Sequence, residues 1–135
     1  MKLAAALVAA VLMQPAGPAF RVLDRGGQSG IEEARQVAAT TPDQFGALWR
    51  QHSQRPRPAV DFSKESVVGI FLGTRTTAGY GVEIVSIAPS DSGTLVRCRE
   101  LAPPSDAVTA QILTFPYVIV AVPALRLPVR FECAR

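Results

Sequence analysis

The sequence predicts a mostly β, α+β fold: a small antiparallel β sandwich, or a partly open barrel, of about 6–8 strands with one packed α-helix over about residues 42–52. Three observations carry this expectation. Apolar residues from residue 66 onward recur with period 2 or in short continuous runs, as strands require. Gly, Pro, Ser and Asp punctuate those runs at strand-like spacing. A single segment, T-P-D-Q-F-G-A-L-W-R-Q-H at 41–52, joins a helix-start signal to an apolar stripe at helical spacing.

The first residues precede this domain. Met1-Lys2 is followed by an uncharged run from Leu3 to Met13 and then by Q-P-A-G-P-A-F. A basic start, a short apolar core and small residues beyond it read as a secretory signal peptide over 1–19, with Gly17 and Ala19 at −3 and −1 of the cleavage point. The run is too short to span a bilayer comfortably. No Cys follows it, so the expected product is exported to the periplasm or beyond, not lipid-anchored and without stable membrane insertion. Residues 20–135 then form a single domain by length. Hydrophobic content of 48% against 19% charged is enough for a packed core and excludes disorder. The net charge of +3 falls by one when Lys2 is removed and is scattered along the chain, which excludes nucleic acid as a partner.

The elements follow in order. Phe20–Leu23 reads as a short strand, and R-G-G-Q-S-G at 25–30 as a connection. Residues 31–40 are ambiguous, because I-E-E-A-R-Q-V-A-A contains good helix formers. Thr41 is an N-cap, Pro42 takes the first helical position, and Gln44 completes a capping box. Phe45, Leu48 and Trp49 share one face, with Trp49 as the core anchor. The helix ends near His52, since Q-R-P-R-P at 54–58 cannot continue it. His52 is expected to be solvated there.

E-S-V-V-G-I-F-L-G-T-R-T-T-A-G-Y-G-V-E-I-V-S-I at 65–87 places a Gly-bracketed connection between two strands, 66–73 and 79–88. Gly73 and Gly79 mark where the chain turns and can take positive φ. A third strand, 94–100, completes a meander by spacing. Residues 108–122 are β-rich but interrupted by Pro116, which marks an edge, a bulge or a bend. The last strand is 128–133. Cys98 shares a face with Val96, and Cys133 with Phe131, so both thiols are expected to point inward. In an exported chain they pair as a disulfide or remain two buried thiols.

D-F at 61–62, V-V-G-I-F-L-G at 67–73, T-A-G-Y at 77–80 and T-F-P-Y at 114–117 resemble the PrcB C-terminal domain family. The likeness runs from about Ser29 to Phe131, with T-A-G-Y in place of the family's T-G-G-Y. It implies an extended segment at Ala34–Ala39 and an accessory role beside secreted or cell-surface protease complexes. T-T-A-G-Y at 76–80 also resembles the T-T-G-Y/F loop of chagasin-type cysteine-protease inhibitors, a small Ig-like class. That likeness covers one loop.

No catalytic motif is present. G-x-S-x-G, a P-loop and H-E-x-x-H are all missing, and one histidine with two cysteines 35 positions apart is not a zinc-site spacing. No cofactor or metal is expected, and no enzyme activity. The candidate site is instead a protein-binding loop. Arg75 offers a rigid donor fork, Thr76 and Thr77 offer hydroxyls, and Tyr80 and Tyr117 are residue types common at interfaces. The expected function is that of a secreted, non-enzymatic protein-binding domain. Its partner would be another protein of the secreted or surface protease class, stabilised by the domain or, alternatively, inhibited through the 74–80 loop.

Overall fold

The computed structural model describes residues 19–135; the leader expected over 1–19 lies, up to residue 18, outside the described residues. Seven strands and one helix follow in the order β1 (Arg21–Gly26), β2 (Ala34–Ala39), α1 (Pro42–His52), β3 (Glu65–Leu72), β4 (Gly81–Ser90), β5 (Gly93–Leu101), β6 (Tyr117–Pro123) and β7 (Val129–Ala134). The first sheet has strand order β1-β6-β3-β2 and is antiparallel; the second has order β4-β5-β7. The two sheets do not close into a barrel, so the architecture is a mostly β sandwich with one packed helix.

The sandwich has a third layer, because α1 lies on the outer face of the first sheet. This explains the two continuous apolar runs. In β3, Val68 and Ile70 face the second sheet, where they meet Val82, Ile84, Ile87, Val96 and Cys98. Val67 and Phe71 alternate to the other face and meet Phe45, Leu48 and Trp49 of the helix. β6 repeats the arrangement, with Val118, Val120 and Val122 toward the second sheet and Tyr117 and Ile119 toward the helix. A strand buried on both faces has no polar positions left to alternate with.

The expected meander does not form. β4 and β5 make a hairpin, but β3 pairs with β2 and β6 in the other sheet. The 74–80 connection therefore crosses between layers. Nor is the sandwich wholly antiparallel, since β7 returns parallel to β5 after the chain passes through β6. Of the β-rich stretch 108–122, only the part after Pro116 is a strand; residues 102–113 form an irregular strap. Pro116 stands just before the central strand β6, where its missing N–H costs no ladder bond.

The helix begins as its sequence dictates. Thr41 Oγ1 accepts from Gln44 N at 3.2 Å, and Gln44 Oε1 reaches back to Thr40 N at 2.8 Å, one residue before the usual capping-box partner. Trp49 is buried, and its Nε1 donates to Arg55 O at 2.7 Å, which folds the post-helix chain back onto the helix. At the other end, Gly30 N donates to His52 O at 2.8 Å. A Cβ on Gly30 would stand 2.5 Å from Gln51 O, so only glycine lets this segment approach the helix terminus.

Trp49→Ala is expected to cost about 3–5 kcal/mol, because it removes a buried indole and releases the Arg55 carbonyl. Equilibrium urea unfolding measures this; a loss under about 1 kcal/mol would mean the helix layer is not part of the core.

Candidate functional site

The 73–80 connection leaves β3 at Gly73 (φ 81°) and enters β4 after Gly79 (φ 99°), so both bracketing glycines take the left-handed backbone expected of them. Between them the loop is sewn to the 102–114 strap. Arg75 N donates to Thr114 O at 2.8 Å, and Thr114 N returns a bond to Arg75 O at 2.9 Å. Ala78 N donates to Ala110 O at 3.0 Å, and Thr114 Oγ1 to Thr77 O at 2.9 Å.

Arg75 is committed within the chain. Its Nε donates to Glu100 Oε1 at 2.7 Å and its Nη1 to Leu72 O at 3.0 Å, while the guanidinium lies 5.8 Å from the centroid of the Tyr80 ring. It is a tether between the loop and β5, not a free donor fork. Thr76 is exposed at the tip and Thr77 half-buried beneath the strap. Tyr80 is half-buried on a surface cleft of about 450 Å³, shared with Leu101, Ile112 and the backbones of Gly26, Gly27 and Gly79. Tyr117, expected at an interface, is only 5% exposed; its ring packs on Phe71 and His52, and only its edge reaches the cleft floor. The strap rim carries Val108, Ile112 and Leu113, all well exposed.

Behind the cleft lies a polar cluster that sequence reasoning missed. His52 is 3% exposed, not solvated. Its Nδ1 is 2.8 Å from Ser29 Oγ, and its Nε2 is 2.9 Å from Asp24 Oδ2. Arg55 Nη2 donates to the same Asp24 oxygen at 2.5 Å and to the Tyr117 hydroxyl at 3.4 Å. Ser29 Oγ accepts from Ile31 N at 3.0 Å. One proton arrangement satisfies every group: Ile31 N–H to Ser29, Ser29 O–H to His52 Nδ1, and His52 Nε2–H to Asp24. A signal for His52 existed. Residues 45, 48, 49 and 52 continue one helical stripe, so the histidine completes the buried face.

Ser, His and Asp in one chain of bonds invite comparison with a hydrolytic triad. The geometry differs in two ways. A triad serine is served by Nε2 and the aspartate by Nδ1, the reverse of the order here. Ser29 is 5% exposed and its hydroxyl is engaged by both His52 Nδ1 and Ile31 N. The cluster instead joins β1, the 28–31 segment, the end of α1 and β6. Burial alone would raise the Asp24 carboxyl, but the bonds from His52, Tyr117 and Arg55 outweigh it and hold the group below the usual carboxylate range. Burial, with the Asp24 carboxylate beside it, pushes the Tyr117 phenol up.

The cysteines form a disulfide between directly paired residues of β5 and β7, with Cα atoms 4.4 Å apart. Cys98 points inward as expected. Cys133 does not become buried: it shares the phase of Phe131, but the end of β7 borders an open groove beside β2, so no layer covers it.

Two outcomes test this site. A depressed carboxyl contributes stability above its unfolded value of about 3.9, and that contribution is lost as pH falls through the folded value. Asp24→Asn should therefore cost about 1–3 kcal/mol at pH 7 and flatten the fall of stability below about pH 4. Urea titrations from pH 7 to pH 3 decide it; identical acid slopes in both proteins would remove Asp24 from the account. Arg75→Ala should cost about 1 kcal/mol through its half-buried ion pair, whereas Thr76→Ala should leave the melting temperature unchanged. Equal melting temperatures for both variants would make Arg75 a surface group.

Neither the curated proteins nor the solved structures contain a match to this chain. The family model described as PrcB C-terminal matches residues 66–123, from β3 to the end of β6, and so takes in the 73–80 loop, the strap and the core strands between which the cleft opens. That stretch matches the family which the sequence motifs at 67–73, 77–80 and 114–117 resemble.

Proposed function

We propose that this protein is an exported, non-enzymatic domain that binds another protein, as an accessory or stabilising component of an extracytoplasmic protease complex. The single observation that carries the reading is the family match, because its span takes in the loop, the strap and all of the cleft wall except residues 25–28. The disulfide is consistent with an oxidising compartment, and no helix among the described residues is long and apolar enough to cross a membrane. Lys2 and the 3–13 apolar run support export.

The proposed binding face is the tip of the 74–80 loop with Tyr80 and the strap residues Val108, Ile112 and Leu113. The strap takes the place of Tyr117, which is buried. Val108 is fully exposed, and Ile112 and Leu113 keep more than half of their surface in water. Three apolar side chains on one irregular segment, over a cleft with glycine walls, suit contact with a partner protein. The inhibitor alternative has less support. An inhibitory loop must project freely into an active site, and here strap hydrogen bonds hold the loop along one side from Arg75 to Ala78.

Affinity capture from the host's envelope and culture fractions tests the reading. Wild-type protein should recover a protease or a subunit of its complex. Ile112→Asp with Leu113→Asp should keep the wild-type melting temperature and lose at least about tenfold in recovery, the effect of removing interface anchors. Undiminished recovery would place the interface elsewhere. Loss of the captured protease's activity on adding the domain would favour inhibition instead.

A further inference from the structure

The Cys98–Cys133 bond occupies an unusual position for a structural cross-link. Cys98 is 2% exposed in the inter-sheet core, but its partner sits in the outermost residues of the chain, where 132–135 are all exposed. β7 pairs with β5 alone. Val129 and Phe131 pack partly against the core; beyond them the strand is held by the disulfide, the ladder, an exposed Arg97–Glu132 ion pair at 3.7 Å and a Gln36 contact to Cys133. Two surface grooves, of about 440 and 720 Å³, both carry Cys133 in their walls; its side chain has the inward phase of Phe131, so its sulfur is approached through the inner groove. The outer groove is also lined by Val85, Arg97 and Arg99. Val85 is exposed there, at the register shift in β4 between Ile84 and Ser86. In the inner groove Gln36 Nε2 lies 3.3 Å from Cys133 Sγ as a donor.

We propose that this disulfide is a thiol–disulfide exchange site, attacked at Cys133 by an external thiolate, and that its opening frees the end of β7 from β5. Access selects the sulfur, since Cys133 is exposed whereas Cys98 is only 2% exposed. In the inner groove Arg35, Arg75 and Arg135 outnumber Glu100, which favours an anionic thiol there. The incoming sulfur bonds to Cys133 Sγ as the Cys98–Cys133 bond breaks, and the bonding pair leaves on Cys98 Sγ, which takes a proton from solvent at the groove wall. A second external thiolate then attacks the external sulfur of the mixed disulfide. Cys133 leaves as a thiolate facing the Gln36 amide, and the two external thiols depart as a disulfide. Two electrons pass from the external thiols to the protein, and the reverse sequence restores the bond. The reductant is a small thiol or an exported dithiol protein. Residues 132–134 separate from 97–99, while the first sheet, the helix and the Asp24–His52 cluster stay folded.

The folded, oxidised protein is incubated with reduced glutathione at pH 8, quenched in acid and mapped by mass spectrometry. The first adduct is expected on Cys133, at least about tenfold over Cys98, and at a rate well above global unfolding. Hydrogen exchange of the reduced protein should lose protection at the end of β7 alone. With oxidised glutathione, Cys98→Ser should be modified at Cys133 while folded, and Cys133→Ser should leave Cys98 unmodified until denaturant is added. If either variant fails to fold, trapping in the wild-type protein still decides. Reduction only at the unfolding rate, an adduct chiefly on Cys98, or full protection of β7 after reduction would each overturn the proposal.

Discussion

The fold turns on the buried carboxylate of Asp24 and the groups that keep it ionised. Three neighbours, His52, Arg55 and Tyr117, converge on one side chain from the helix end, the post-helix chain and the central strand β6. Ser29 closes the far side of the imidazole and ties in the segment whose Gly30 caps the helix. Charge-assisted bonds in a shielded site are strong, and a missing partner would leave a buried charge uncompensated. The helix layer therefore has one allowed seat on the first sheet. Hydrophobic contact of Phe45, Leu48 and Trp49 supplies area for that docking but no direction; the polar cluster supplies the direction.

The 73–80 loop and the strap lie where the chain crosses between sheets, and their mutual hydrogen bonds are local. Glycines bracket the loop because its backbone must turn through positive φ at both ends. The loop is thus held firmly by Arg75 on Glu100, yet Thr76 and the strap's apolar side chains remain in water. In the proposed function, the contact residues are therefore not the ones that hold the loop.

Much of this was legible in the sequence, and the failures have physical causes. The helix bounds, the Trp49 anchor, the Gly73–Gly79 turn and the phase of β5 follow from local rules of capping, period and backbone sterics. Strand pairing does not, because a continuous apolar run such as 67–72 says that both faces are buried without saying by what. The meander failed for that reason. Tyr117 was misplaced because an aromatic with a polar tip suits an interface and a core with a buried acceptor equally well. His52 was misplaced because its type outweighed its phase. Cys133 had the inward phase, but phase cannot show where the covering layer stops. Asp24 and Ser29 lie in segments without periodicity, and only the tertiary fold brings them to His52.

The account's central claim is that partner contact is made by the loop-and-strap face and not by the helix layer. Site-specific photocrosslinking in the native host tests it most directly. A photoreactive residue is placed at exposed Thr76, at Ile112, or at Ala47 on the solvent face of the helix. The account predicts protein adducts from positions 76 and 112 and none from position 47. Adducts from position 47 alone, or from none of the three in folded protein, would contradict it.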